Sequence, residues 1–247
     1  MEEIEKLKIE IEKLKKMNAV KSDVISISAH QLRTSLSALK WILKMFLDKD
    51  LGPVSSDQES LIKKGFDSNE RMITLVNDML TLNHAEDTAL EFKFENTDIM
   101  TLAEQTLFEF SGEAHKKGIE LIFLKPDNTL PPVKCDQEMI RVVLQNLIEN
   151  AIKYSESGNK VVVSLKQNEK NLEVTVRDTG IGIKEDDQSK IFNKFFRADN
   201  AKKKDAIGSG LGLFTTQNIV QHHNGKIWFE SKGDEGTTFF VALPLNS

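Results

Sequence analysis

Cysteine is almost absent: Cys135 is the only one in 247 residues. That excludes an intrachain disulfide framework and any cysteine-rich metal cage, and it agrees with a reducing, cytoplasmic setting. Proline is scarce as well, and of the five only Pro53 precedes residue 90; of the 13 glycines only Gly52 and Gly65 do. A stretch so poor in chain breakers reads as long helices. No apolar run approaches the roughly 20 residues of a membrane-spanning helix, and Met1 to Lys16 is too charged for a signal peptide. Nor is there a basic excess: 33 Lys and Arg stand against 38 Asp and Glu. The net charge of -5 gives no field to attract nucleic acid or anionic lipid, so neither is expected to partner this segment. Walker A, dinucleotide-fingerprint, His-Arg-Asp and Asp-Phe-Gly sequences are all missing. His84, His115, His222 and His223 have no metal-ligand company and read as surface or structural histidines.

What the first third does contain is helical periodicity. Ile4, Leu7, Ile11 and Leu14 alternate spacings of three and four with Glu and Lys between them, the pattern of a short coiled coil, assigned to residues 1–20. The seam continues through Ile25, Leu32, Leu36, Leu39, Leu43 and Phe46, so one helix is expected to about Lys49, where Leu51-Gly52-Pro53 stops it. Ser56 and Glu59 have capping-box spacing, and the apolar residues from Leu61 to Leu80 predict a second helix to about Asn83. Residues 21–89 therefore form a helical hairpin. A lone hairpin encloses no core, but two copies pack into a four-helix bundle, so a symmetric homodimer is expected. From residue 90 to 247 the texture changes to short strands (121–124, 160–166, 172–177, 226–230, 237–243) interleaved with helices (99–117, 136–154, 213–223). The fold class is thus an α hairpin followed by an α+β layer.

Several residues carry chemistry. At roughly 100° per residue, His30 lies about 140° from the seam, on the side of Arg33, Ser37 and Lys44, where it can meet another domain. A neutral imidazole is nucleophilic near neutral pH. Asn146 and Asn150 are four apart, which puts two amide oxygens on one helical face, suited to a hard Mg²⁺ ion and triphosphate oxygens. Asp178 ends a strand, where its carboxylate can accept a hydrogen bond, and Gly180 and Gly182 allow close backbone approach; standing alone this reads equally as a strand-ending Asp-Gly turn. Gly208, Gly210 and Gly212 precede a helix whose first N–H groups would face phosphate.

The segments Ser28–Leu36, Asn146–Ser155, Asp178–Ile183, Ile191–Arg197, Gly208–Leu213 and Gly236–Phe239 resemble, in order, the H-box, N-box, G1, F, G2 and last glycine boxes of sensor histidine kinases. Singly these signals are weak; jointly and in order they are specific. The resemblance implies a dimeric four-helix-bundle hairpin followed by a Bergerat-type α/β sandwich, the ATP-binding fold shared with DNA gyrase B, Hsp90 and MutL. It implies that His30 takes the γ-phosphoryl group of Mg-ATP and passes it to an aspartate of a response-regulator receiver domain. It further implies that Gln31 and Thr34 assist at His30, Thr34 by placing water for dephosphorylating the regulator. Asn150 would ligate Mg²⁺, Asn146 would support the phosphates, and Lys153 and Tyr154 would contact the nucleotide. Asp178 and Thr237 would lie at the adenine, with Gly208, Gly210, Leu211 and Gly212 forming a lid. Arg197 and one of Lys202, Lys203 and Lys204 could neutralise the γ-phosphate, though the lysine run reads equally as a solvated loop. Gly236-Thr237 reads equally as a hairpin turn. The charged start resembles the output linker of a sensor whose parent protein could be membrane-anchored.

Rival readings are a clamp-type ATPase, which the H-box opposes, and a phosphatase or scaffold, which the intact nucleotide boxes oppose. The latter is motivated by two departures: Gln31 stands where an acid is usual, and Ser35 where proline is usual. Gln accepts a hydrogen bond but holds no charge, and serine restores the backbone N–H that proline lacks, removing a kink. Ser35→Pro is expected to shift the ratio of autophosphorylation to regulator dephosphorylation; equal rates in both assays would show that the missing proline has no bearing on switching.

Overall fold

The computed structural model describes residues 2–86, 92–126, 128–204 and 208–245, with backbone alone at 2–4, 7, 8, 11, 15, 18, 19, 82 and 84–86. The side chains of Ile4, Leu7 and Ile11 in the expected coiled-coil seam, and of His84, lie outside the described residues. The chain divides into two compact units, the first carrying two long helices and the second beginning at Phe92.

Helix α1 (Glu2–Leu47) runs for 46 residues. With serine at position 35 its backbone continues unbroken through the stretch where a proline would interrupt it. The hydroxyls of Thr34 and Ser35 donate back to the carbonyls of His30 and Gln31, each at 3.1 Å, the usual way mid-helix hydroxyls are satisfied. The helix ends at a turn in which Lys49 and Gly52 adopt positive φ, 64° and 102°. Helix α2 (Ser56–Glu86) follows. Its capping box is one residue earlier than the spacing of Ser56 and Glu59 predicts. The Ser55 N–H donates to Gln58 Oε1 at 2.8 Å, and the Gln58 N–H donates to Ser55 Oγ at 3.3 Å. Both pairs have the same i, i+3 spacing, and the pair standing just outside the first helical residue makes the cap.

Within one hairpin there is almost no core: among its described apolar residues only Ala29 and Val76 are buried, while Leu32 remains 53% and Leu39 41% exposed. Polar ties supplement this. Asn69 is fully buried and donates to the Leu36 carbonyl at 3.0 Å, Asn83 donates to Ser22 Oγ at 2.8 Å, and Lys40 pairs with Glu70 at 2.9 Å.

The second unit is a two-layer α/β sandwich. In chain order it contains β1 (Phe94–Thr97), α3 (Ile99–Lys116), β2 (Glu120–Leu124), β3 (Val133–Asp136), α4 (Gln137–Tyr154), β4 (Lys160–Gln167) and β5 (Asn171–Asp178). It continues with two short helices, α5 (Glu185–Gln188) and α6 (Asp199–Lys204), then α7 (Gly212–His222), β6 (Lys226–Lys232) and β7 (Gly236–Pro244). Five strands form the main sheet in the order β2-β4-β5-β7-β6, with only β2 and β4 parallel. Alternate residues of the central strands, among them Val161, Val163, Val174, Val176, Phe239 and Val241, are buried, as the period of two dictates. They share the core with Leu102 of α3, Ile140, Leu144, Leu147 and Ile148 of α4, and Ile219 of α7. On the alternate positions Trp228 and Phe240 stack 5.1 Å apart, both half-buried.

Helix and strand limits match the sequence-based expectation to within two or three residues. The two-stranded antiparallel ribbon β1–β3 was not anticipated. Each strand has four residues, too few to leave a periodic signal. The ribbon buries Cys135 completely, and burial pushes its thiol pKa up. Ser55→Ala should cost the hairpin about 1 kcal/mol in thermal unfolding, whereas Ser56→Ala should change it by less than about 0.5 kcal/mol; the reverse order would return the cap to Ser56.

Candidate functional site

On α1, His30, Gln31, Arg33, Thr34, Ser37 and Lys44 are all exposed, as the helical-wheel argument requires. Thr34 lies one turn after His30 and its hydroxyl is engaged as a donor to the His30 carbonyl, which leaves its lone pairs to accept. Trp41, three turns along on nearly the same side, is 67% exposed.

In the second unit α4 supplies the asparagines. Its N-cap is Asp136, whose carboxylate accepts from the Met139 N–H, and its buried stripe from Ile140 to Ile152 turns the opposite face outward. Asn146 Nδ2 donates at 3.2 Å to both the Gly212 carbonyl and Thr216 Oγ1, so it clasps the first turn of α7. Asn150, one turn on, is half-buried, and its side chain has no hydrogen-bond partner among the described residues. Lys153 Nζ sits 5.9 Å from the centre of the Tyr154 ring, both residues being half-buried.

Asp178 closes β5 and faces Thr237 across the ladder to β7. Residues 59 apart in sequence thereby share one site. Asp178 Oδ1 accepts from the Gly180 N–H at 2.8 Å and the Thr237 N–H at 3.2 Å, and Oδ2 accepts nothing among the described residues. Burial drives the carboxyl pKa up to about 6, against the lowering effect of those two N–H groups. A folded pKa above the unfolded one means stability that is complete below about pH 4 and is lost as pH rises through about 6. Holding the group ionised at neutral pH costs the fold on the order of 3 kcal/mol.

The two glycines after Asp178 also meet backbone of the chain itself. A Cβ on Gly180 would lie 2.4 Å from the Tyr154 carbonyl oxygen, and one on Gly182, where φ is +59°, 2.1 Å from the Lys232 carbonyl oxygen. Both positions are thus closed by the protein's own backbone. The loop is stitched there: the Ile181 N–H donates to the Tyr154 carbonyl at 3.2 Å, and the Asp234 N–H to the Ile181 carbonyl at 3.1 Å. The loop after Asp178, the end of α4 and the β6–β7 turn are thereby held in one place.

Gly208 lies in the loop leading to α7. The Gly210 carbonyl accepts the Phe195 N–H at 3.0 Å, joining the Ile191–Arg197 segment to the glycine loop. Leu211 is fully buried, so it can offer a ligand only backbone; as the N-cap residue of α7 it provides no side-chain cap to the first N–H groups. Arg197 is half-buried and donates to the Ala201 carbonyl at 3.4 Å. Lys202 pairs with Asp199 at 3.1 Å, and Lys204 with Glu156 at 2.7 Å, which lowers the Glu156 pKa. Gly236 lies opposite Lys232 in the β6–β7 ladder, at the hairpin turn.

Sequence reasoning overlooked Asn159, Thr179 and Ser231, which brace the site. Asn159 donates to the Thr179 carbonyl at 2.8 Å, and Ser231 Oγ is 2.8 Å from Thr237 Oγ1. Neither pair has a local signature. His223, read as surface or structural, is buried, and desolvation lowers its pKa.

Comparison with known proteins falls on the same two units. Residues 20–88 match the His Kinase A (phospho-acceptor) domain, and residues 135–247 match the family described as histidine kinase-, DNA gyrase B- and HSP90-like ATPase. The sensor histidine kinase WalK of Bacillus subtilis is 34% identical over 93% of this chain, which spans 37% of that protein. The adaptive-response sensory kinase SasA of Crocosphaera subtropica is 30% identical over 99% of the chain, which spans 64% of it. Among solved structures, the Acinetobacter baumannii histidine kinase AdeS superposes with a TM-score of 0.62 at 26% identity, covering 88% of this chain and 98% of that one. Full-length ShkA, solved in complex with AMPPNP, shares the fold with a TM-score of 0.70 at 24% identity, covering 90% of this chain and 45% of ShkA. With a phospho-acceptor hairpin ahead of an ATPase sandwich, and kinases of this kind matching along nearly its whole length, the chain belongs to the sensor histidine kinase family of two-component systems.

Proposed function

We propose that the chain is a histidine kinase core that uses Mg-ATP to phosphorylate His30 and then delivers the phosphoryl group to a response-regulator aspartate. Residues 1–20 act as its signalling linker, 21–89 as the dimerising phosphoacceptor hairpin, and 90–247 as the ATP-binding unit. The observation that carries the reading is an exposed imidazole on a helical hairpin in the same chain as a buried carboxylate held by two backbone N–H groups. Asp178, with Oδ2 available, accepts a hydrogen bond from the adenine amino group, and the Thr237 N–H fixes the carboxylate. Asn150, with no protein partner among the described residues, would hold Mg²⁺, which supplies neutralisation of phosphate charge. The first N–H groups of α7, without a side-chain cap, face the phosphates together with Asn146 and the loop Gly208–Gly212. Lys153 and Tyr154 flank the nucleotide, and Arg197 offsets γ-phosphate charge.

In the transfer an imidazole nitrogen of His30 forms a bond to the γ-phosphorus while the bond to the bridging oxygen breaks, and ADP departs. Gln31 accepts the ring N–H, and Thr34 later places the water that dephosphorylates the regulator. Two copies assemble through the hairpin: the exposure of Leu32 and Leu39, with only Ala29 and Val76 buried, supports a face completed by a second chain. No described helix is long and apolar enough to cross a membrane.

Incubation with γ-labelled ATP and Mg²⁺ should give acid-labile, alkali-stable phosphate that His30→Gln abolishes; equal labelling of the variant would overturn the assignment. Nucleotide affinity should be level above pH 7 and fall, by up to about tenfold per pH unit, as the medium drops below the Asp178 pKa of about 6. Asp178→Asn should bind more weakly at pH 7 and lose that part of the slope. An identical slope in the variant would mean that some other group titrates.

A further inference from the structure

One residue outside the nucleotide site ties three elements together. The Asp136 N–H donates to His223 Nε2 at 2.9 Å, its Oδ1 accepts the Met139 N–H at 3.1 Å, and its Oδ2 accepts the Lys93 N–H at 2.9 Å. The first bond reaches the end of α7, the second caps α4, and the third holds the chain one residue before β1, close to where the unit begins. His223 can accept because its Nδ1 lies 2.7 Å from the Ile219 carbonyl, which requires the proton on Nδ1 and leaves a lone pair on Nε2. The residues on either side of Lys93 pack on the same spot. Phe92 stacks on His222 at 4.9 Å, and Phe94 lies 5.0 Å from His223.

At the other end the same two helices are clasped by Asn146 against Gly212 and Thr216. Asn146 is ten residues from Asp136 and Gly212 eleven from His223, about 15 Å of rise in each helix. Helices α4 and α7 therefore run antiparallel between a phosphate end and an entry end.

We propose that Asp136 is a positioning residue for phosphoryl transfer. It fixes the point at which the chain enters the ATP unit to the two helices that present Asn146, Asn150 and Gly212, so that the transfer rate, and not nucleotide affinity, depends on it. The inference rests on the kinase reading above. Since the Asp136 carboxylate touches neither the adenine pair Asp178 and Thr237 nor the phosphate end, and the backbone N–H bond to His223 survives a side-chain substitution, loosening the carboxylate leaves the ATP contacts intact and frees only the start of the unit at Lys93.

Asp136→Asn isolates this role, because an amide has one acceptor oxygen for two N–H groups and asparagine still makes a good helix cap. Lys93→Pro removes the N–H itself, and Lys93→Ala retains it. The full chain is assayed for ATP dissociation constant and for the rate of His30 labelling, with amide exchange at residue 93 as a readout independent of activity. Asp136→Asn and Lys93→Pro should each slow labelling about tenfold with affinity within about twofold of the parent. Asp136→Asn should also lose protection of the Lys93 amide, the double variant should be no slower than either single one, and Lys93→Ala should behave as the parent. Unchanged labelling rates, or an affinity loss proportional to the rate loss, would overturn the proposal while leaving the kinase reading in place. A parent chain that takes no label from ATP would overturn both, even if the Lys93 amide is protected.

Discussion

The antiparallel pairing of α4 and α7 is the interaction on which the second unit depends. One face of the pair is apolar, with Leu144, Leu147, Ile148, Ile219 and Val220 essentially inaccessible, and seats it on the sheet. The two ends are joined by hydrogen bonds that use side chains as rulers: Asn146 at one end, Asp136 with His223 at the other. Because the ends are tied, the register of α7 against α4 is not free to slide. That register places the start of α7 beside Asn146, and the tail of α4 against the loop after Asp178. Asp178 itself arrives from the sheet, held opposite Thr237 by the β5–β7 ladder. Helix pair and ladder meet at the Tyr154 carbonyl, where absence of a Cβ on Gly180 permits the contact.

The two units solve the burial problem in opposite ways. The sandwich closes a core within one chain, since alternate strand residues and helix stripes face one another. The hairpin cannot, because two helices present more apolar surface than they can cover mutually. It compensates in part with buried polar contacts such as Asn69 to the Leu36 carbonyl, which specify how α1 and α2 meet while adding little apolar burial.

Much of this was legible because its signals are local or periodic. The hairpin, the five main strands and the three long helices follow from apolar spacing and from breakers at Gly52 and Pro53. The candidate site was legible for a different reason: Asn146, Asn150, Asp178 and the glycine loop lie in short contiguous motifs. What escaped was non-local. Four-residue strands such as Phe94–Thr97 carry too few residues to show a period, and their pairing with Val133–Asp136 is written in no short window. The backbone contacts of Gly180 and Gly182 escaped because the atoms that exclude a Cβ belong to Tyr154 and Lys232, the latter 50 residues away from Gly182. The displacement of the cap from Ser56 to Ser55 has a narrower cause: serines at both positions with Gln58 and Glu59 three residues on give two equivalent patterns, and only the helix start decides between them.

The single thiol has a practical consequence. Cys135 lies between Val133 and Asp136 on the ribbon, with no accessible surface and a proton held more tightly than in water. Only a thiolate reacts readily with maleimides or disulfide probes, so the native chain is chemically silent toward them. A cysteine introduced at any exposed position then becomes the sole point of attachment. Distances between reporters, and cross-links between copies of the hairpin, can be measured in the folded protein without first removing a native residue.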